Sequence, residues 1–435
     1  MSLTKPQLSF SQIINMNVGF FGIQYSFGLQ QTAVGPLYSF LGAKEGELPL
    51  LFLAGPVTGL LIQPIIGAMS DKTWSPTYGR RKPFFLVGAI LCSLCLLAFP
   101  FSSSLWMAAG LLWILDAANN TAMEPYRAFI ADKLPTNQLA KGFLTQSFFT
   151  GLGITLANVS LFIFQSTIKG ASSVGIPYWV YGSFFVGSVC SIGSVLWSVS
   201  KTPEIPPSED ELAALRASDR GFFTPFLEII EAIGDMPKVL WQLALVYLFQ
   251  WYALFCYWQN ASKSIAKSVW NTTVYQNNPA YEDAVAWSGL VNGWYNIVTF
   301  LSAFFLLWLA KKISPKMIHV ICLIMAAAGL LIFPHITDKN LLFIPMAGFG
   351  IAWASMMGIP YLLVVHKIPK ERYGVYMGII NMMIVIPMII QNLTFGYILK
   401  NFLNNDPRLA ITFAGALLLI GTFCTLLIKT KKVSH

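Results

Sequence analysis

Twelve apolar runs, each separated from the next by a short polar stretch, constrain this chain more than any other feature. They lie near 11–41, 48–69, 83–101, 105–130, 142–168, 176–198, 239–263, 284–310, 317–333, 341–365, 375–400 and 409–428. A membrane-crossing helix needs about 20 mostly apolar residues. A soluble domain of the same length would need charges to cover its surface, typically about 25% of residues. Here the charged share is 11%. The expected fold is therefore an all-α membrane protein of twelve transmembrane helices. Residues 1–198 form one six-helix bundle, 199–237 a cytoplasmic linker and 238–435 a second bundle. Met1 to Ser9 lack the apolar core and cleavage site of a signal peptide, so the first run is kept as a helix.

Orientation follows from the basic residues, which concentrate on the cytoplasmic side of membrane proteins. With the N-terminus inside, twenty of the 28 Lys and Arg are cytoplasmic. Seven are external (Lys44, Lys169, Lys263, Lys267, Lys339, Lys400, Arg408), and Arg127 falls within a span. Both termini and the linker are thus expected in the cytoplasm. Topology accounts for the net charge of +9, so nucleic acid is not an expected partner. The linker opens with acids and prolines. It then reads as amphipathic over Thr224–Met236, as in a helix lying on the membrane surface or the bundle.

The chain also repeats. Pro125-Tyr126 running to Asp132-Lys133-Leu134-Pro135 matches Pro360-Tyr361 running to His366-Lys367-Ile368-Pro369, at equivalent places in a six-plus-six layout. Repeats of this kind are the halves that rock about a midplane site in many secondary transporters.

Once the loops have taken their share of charges, Asp116, Glu124 and Arg127 are left inside the fourth span. A charge at mid-membrane costs at least about 2.5–3.5 kcal/mol, so three on one helix require a polar cavity or partners. Helical spacing sets 116, 120, 124 and 127 near one face, adding Asn120 with Asn119 beside it. Glu124 and Arg127, at i and i+3, are within pairing distance. Asp116 lies about 16 Å along the axis from Arg127. An unpaired carboxylate in low dielectric readily takes a proton. Asp116 is thus the candidate proton carrier, with Glu124 as a second proton-coupling candidate, and Arg127 has the donors to bind hydroxyls. The competing reading is a buried network that only locks spans together.

Asn17, Gln24 and Gln31 recur every seven residues in the first span, with Tyr25 adjacent. Such a stripe fits sugar hydroxyls or helix–helix hydrogen bonds equally. Trp258 and four further tryptophans (113, 251, 294, 353) offer flat faces to a sugar ring, with packing as the plainer use of each. Gln250, Asn292, Asn296, Asn381 and Gln391 are further candidates. Six cysteines lie in apolar runs and read as small buried hydrophobes. Four histidines lie at loops or span ends, and no metal or nucleophile–base spacing is present.

Gly67-Ala-Met-Ser-Asp71-Lys72 followed by Gly79-Arg80-Arg81-Lys82-Pro83 resembles the loop 2–3 signature of the major facilitator superfamily. Gly55-Pro56, Gly59, Gln63-Pro64 and Gly67, with Asp116, Asn119-Asn120, Pro125, Arg127-Ala128 and Ala131-Asp132, are similar to the glycoside–pentoside–hexuronide symporters and plant sucrose/proton symporters. The resemblance implies proton-coupled symport of a sucrose- or maltose-like α-glucoside by alternating access. It implies a coupling role for Asp116, substrate binding by Arg127, and an inward gate held by Asp71, Gly79, Arg80 and Arg81. Glu124 departs from the plant pattern, which has Gly there. The expected partners are a sugar, a proton and the lipid bilayer, with no cofactor and a monomeric working unit. The expected place is a bacterial inner (plasma) membrane. Sodium coupling and sugar export are the alternatives within the class. Span two offers no carboxylate for a sodium site, which favours the proton. A multi-pass enzyme or receptor is the alternative outside the class.

Overall fold

The computed structural model describes residues 5–204, 206, 213, 224–310, 312–364 and 373–428. The chain is helical nearly throughout, and only two isolated bridges, Ser75 with Gly79 and Ala171 with Pro177, occur among the described residues. The helices are α1 (Phe10–Phe40), α2 (Leu48–Leu51), α3 (Ala54–Lys72), α4 (Lys82–Ala98), α5 (Leu105–Lys133), α6 (Leu139–Thr167) and α7 (Tyr178–Lys201). They continue with α8 (Thr224–Gly234), α9 (Lys238–Val269), α10 (Pro279–Leu309), α11 (Pro315–Ile332), α12 (Phe343–Val364), α13 (Tyr373–Asn401) and α14 (Pro407–Leu426).

Ten of these segments are long and apolar enough to cross a membrane. The long helices α1 and α5 fall short of that measure. These are the two helices into which the sequence concentrates amides and charges. Helix ends are set locally. Ser104 caps α5 by accepting from the Met107 N–H, Asn278 caps α10 from Ala280, and Asp406 caps α14 from Arg408. The amphipathic stretch of the linker forms α8, with Leu227 and Ile230 exposed and Ala232 buried. The second copy of the internal repeat, His366 to Pro369, lies outside the described residues.

Packing divides the chain into two compact units. The first takes residues 1–30 and 57–225, the second 31–56 and 226–435. The division at 225/226 falls inside the linker, whereas residues 31–56 pack with the second unit, so α1 contributes to both. Small residues allow close approach within the first unit. A Cβ on Gly22 of α1 would lie 2.2 Å from the Cys190 carbonyl oxygen of α7, and one on Gly88 of α4 would lie 2.6 Å from that of Ala118 in α5. Neither helix pair tolerates a side chain there. The core between α1, α4 and α5 includes Phe20, Phe85, Tyr126 and Phe129, all buried.

One placement corrects the charge count, and a second adds burial to a residue read at a span end. Lys263, expected outside the membrane, is buried in the last third of α9 at 1% exposure. His319, expected at a span end, is wholly buried in α11, with Nδ1 2.8 Å from the Ser355 hydroxyl. Both sit within one to two turns of a helix end by sequence, where hydropathy alone does not separate a loop residue from one covered by neighbouring helices.

Candidate functional site

The polar stripe of α5 is present and graded. Asp116 is 1% exposed and Asn120 3%, Glu124 is half-buried, and Arg127 is exposed. The Glu124–Arg127 pair expected from their spacing is not formed, and neither residue makes an ion pair among the described residues. Arg127 stands three turns beyond Asp116, and its side chain points away from the protein interior rather than folding back on Glu124. Glu124 packs instead toward α3. A Cβ on Gly67 would lie 3.7 Å from the Glu124 Cγ, an ordinary van der Waals distance that places the acid beside α3.

Asp116 is held by a residue the seven-residue stripe passes over. Gln30 Nε2 donates to Asp116 Oδ1 at 2.5 Å. The stripe selects Gln31, whose side chain leaves α1 about 100° away. Deeper along the face, Asn120 donates from Nδ2 to the Thr58 hydroxyl (3.1 Å) and the Asp116 carbonyl (3.0 Å), and accepts from Gln63 Nε2 (2.6 Å). Asn119 donates to the Ser26 hydroxyl at 3.0 Å, and the same hydroxyl accepts from Cys92 at 3.3 Å. The fourth helix is thereby tied to α1 and α3 through amides and hydroxyls rather than through ion pairs.

Of the other α1 candidates, Asn17 is buried and donates from Nδ2 to the Ile13 carbonyl, leaving Oδ1 without a partner. Gln24 is buried and directs Nε2 at the Met123 sulfur, 3.9 Å away. Tyr25 is buried at 2% exposure.

Gly79, Arg80 and Arg81, expected in the gating loop, come together at the turn between α3 and α4. Gly79 has φ of +82°, and its backbone exchanges hydrogen bonds with Ser75 to close a tight turn. Arg81 is buried at 4% exposure. Its Nε lies 2.8 Å from Asp132 Oδ2, and its Nη1 donates to the Ser70 hydroxyl at 2.6 Å. Arg80 donates from Nε to the Ser70 carbonyl at 3.3 Å. Asp71 is the penultimate residue of α3, and its side chain lies outside the described set.

The residue missed by sequence reasoning is Glu204, the first acid of the linker. Its carboxylate accepts from the backbone N–H groups of Arg80 (2.8 Å), Arg81 (2.9 and 3.2 Å) and Lys82 (2.9 Å). These are the free amides at the start of α4, where a helix favours an anion. A Cβ on Gly79 would lie 2.5 Å from that carboxylate, so the glycine serves the turn and the acid at once. Nearby, Lys133 Nζ donates to the Pro203 carbonyl at 2.6 Å. The available signal was Glu204 lying three residues beyond the end of α7.

The second unit has its own polar cluster. Asn292 accepts from the Tyr257 hydroxyl at 2.8 Å and donates to the Thr32 hydroxyl at 3.2 Å. Trp258 donates to the Tyr295 hydroxyl at 3.2 Å and stands edge-on to Trp353, with ring centroids 5.5 Å apart. Gln259 bridges Gln391 and Asn392. Gln250 is wholly buried with neither amide atom partnered, and Asn381 is half-buried. Trp294 turns away to the Phe343 carbonyl, and Trp113, in the first unit, is 40% exposed. Elsewhere in this unit Lys263 Nζ lies 3.4 Å from Glu45 Oε1 and 4.6 Å from the centre of the Tyr275 ring. Burial, and then the charge of Glu45, push the Tyr275 phenol up. No group of three or more His, Cys, Asp or Glu suited to a metal occurs among the described residues.

These arrangements have relatives. The sucrose transport protein SUT5 of Oryza sativa subsp. indica is 23% identical over 480 residues, covering 95% of this chain and 87% of that protein. The sucrose transport protein SUC4 of Arabidopsis thaliana is 24% identical over 446 residues, covering 90% and 84%. Among solved structures, the nucleoside transporter NupG superposes with a TM-score of 0.73 at 12% identity, covering 97% of this chain and 99% of that one. A D-xylose–proton symporter superposes with a TM-score of 0.68 at 15% identity, covering 97% and 98%. The model of the Major Facilitator Superfamily matches residues 16–392. With its apolar helices and this match over most of its length, the chain is a multi-pass membrane transporter and belongs to the Major Facilitator Superfamily.

Proposed function

We propose that this protein is a proton-coupled sugar symporter of the cell membrane that takes a sucrose- or maltose-like α-glucoside by alternating access. The observation that carries the reading is Asp116, a carboxylate at 1% exposure with no ion-pair partner among the described residues. A buried carboxylate held by one amide is costly while charged and is relieved by a proton. The names of the plant relatives support a sugar as cargo. In this mechanism Asp116 takes a proton from outside, sugar binds, the two halves (1–198 and 238–435, joined by 199–237) exchange access, and both solutes leave inside. Arg127, exposed on the same stripe, offers planar donors to sugar hydroxyls. In the second unit Trp258 offers an apolar ring face, while Asn292 and Asn381 offer amides. The Glu204-braced loop holds Arg80 and Arg81 as the inward gate. The coupling ion is H+ rather than Na+, because among the described residues carboxylates are not clustered around Asp116. The working unit is the monomer.

Uptake of radiolabelled sucrose into vesicles, with maltose, melibiose and glucose as competitors, tests the cargo. Accumulation is expected to require an inward proton gradient. Asp116→Asn is expected to abolish gradient-driven accumulation while keeping sugar exchange. Accumulation by that variant at the wild-type level would end the proton-carrier assignment.

A further inference from the structure

The Asp116–Gln30 pair has an incomplete hydrogen-bond inventory. One bond is made, from Gln30 Nε2 to Asp116 Oδ1 at 2.5 Å. The two remaining oxygens, Asp116 Oδ2 and Gln30 Oε1, are both buried and both without a partner. Each is an acceptor: an ionised carboxylate has no hydrogen to offer the amide oxygen, and the second N–H of Gln30 makes no bond to Oδ2. The orientation of the amide follows from the same inventory, since only its nitrogen donates to a carboxylate oxygen. The unmet atoms are therefore the second halves of two groups already bonded through their first halves. Leaving buried polar atoms in that state costs free energy, and native structures do so sparingly.

One proton removes both deficits. Placed on Oδ2, it turns that oxygen into a donor, and Gln30 Oε1 is the acceptor on the group already bonded. A carboxylic acid and a primary amide then form a two-point pair, with N–H to carbonyl oxygen on one side and O–H to amide oxygen on the other. No covalent bond other than the O–H changes. The proton arrives from water on one face of the membrane and leaves to the other.

We propose that Gln30 is the residue that reads the protonation state of Asp116: the loaded acid holds α1 through two hydrogen bonds and the unloaded carboxylate through one. The proposal rests on the reading of Asp116 as proton carrier. The position of Gln30 gives the difference a consequence. It is the last residue of α1 that packs with the first unit, and from Gln31 onward the helix packs with the second. A bond gained or lost here acts on α1 where its packing allegiance changes. Gln30 is a positioning residue in this scheme, since the proton resides on Asp116. Cys92 is the titratable group that α4 brings to this cluster, and its thiol donates to the Ser26 hydroxyl that also accepts from Asn119. Glu124 and Arg127 lie two and three turns further along α5, and the contacts from α1 and α3 to this stretch are amides and hydroxyls.

The test is infrared difference spectroscopy on the purified transporter in lipid, between low and high pH. The carboxylic C=O band of Asp116 is identified by its loss in Asp116→Asn. In the wild type it is expected at the low wavenumber of an acid bonded at both oxygens. In Gln30→Met, close in volume but without the amide, it should move up to the position of a weakly bonded acid. Gln30→Asn keeps the amide but is one methylene too short, and should give the same upward move even if the Met variant fails to fold. A band unmoved in these variants overturns the role of Gln30 and leaves Asp116 as carrier. No Asp116-dependent band in the wild type overturns both.

Discussion

Replacing Glu204 tests whether the linker is structural or only a tether. Glu204→Ala removes a carboxylate that accepts four hydrogen bonds from three consecutive backbone amides, at 2.8, 2.9, 3.2 and 2.9 Å. Bonds to a charged group contribute roughly 1.5–3 kcal/mol each where water is excluded. An anion at a helix N-terminus contributes about 0.3–1 kcal/mol in the open. This site is partly exposed, so water replaces much of what is lost, and the net cost is about 2–4 kcal/mol. For a unit of this size, 1 kcal/mol corresponds to about 2–4 °C in Tm, giving a fall of roughly 5–10 °C. Tryptophan fluorescence during a thermal ramp in detergent reads it directly. Limited trypsin digestion gives a second reading, since Arg80 and Arg81 are cleavage sites in the braced segment, whereas Lys82 precedes Pro83 and is not cut. Gly79→Ala should produce part of the same loss, because a Cβ there meets the carboxylate at 2.5 Å. Combined with Glu204→Ala it should add little beyond its own strain at φ +82°. An alanine variant at 204 that melts within about 1 °C of wild type and is cut no faster after Arg80 and Arg81 would refute the argument.

Lys263→Met should destabilise the second unit by about 2–3 kcal/mol, below the full figure for a buried pair because Glu45 keeps some water. Adding Glu45→Gln should restore most of it, and thermal melts of the single and double variants measure the coupling. Asp406 predicts a pH dependence. Burial works to raise its carboxyl, but hydrogen bonds from Lys267 and from the Arg408 amide and guanidinium outweigh it and hold it below the usual range. The stabilisation is therefore complete above the ordinary carboxylate range and lost as pH falls through the depressed pKa. Asp406→Asn should melt lower than wild type at neutral pH, with the gap closing on acidification.

The long helices and the polar stripe of α5 were readable in advance, because both depend on local pattern. Apolar runs report burial in lipid or protein alike, and a 3.6-residue period places Asp116 and Asn120 on one face whatever surrounds them. What the pattern could not supply was partnership. Gln30 and Gln31 are adjacent and chemically identical, and only the packing of α1 against α5 chooses between them. Lys263 looked external because a charge near a helix end is normally solvated. Glu45 and Tyr275, distant in sequence, offset the cost of its burial. The Glu124–Arg127 pair failed for a different reason: proximity along one helix permits a contact without requiring it, and the exposed Arg127 side chain leaves Glu124 to pack beside α3.

The bond network of Glu204 also bears on how this transporter would be taken apart. Separately expressed halves are a common way to study two-bundle proteins, and the end of α7 near residue 198 is the obvious place to cut. A fragment ending there would leave three amides at the head of α4 without their anion and Lys133 without the Pro203 carbonyl. The severed bundle would lack part of the floor that closes this end, although every apolar helix in it was intact. A break placed after Pro206 keeps that floor with the half it completes, so the boundary that matters for dissection lies several residues beyond the last turn of helix.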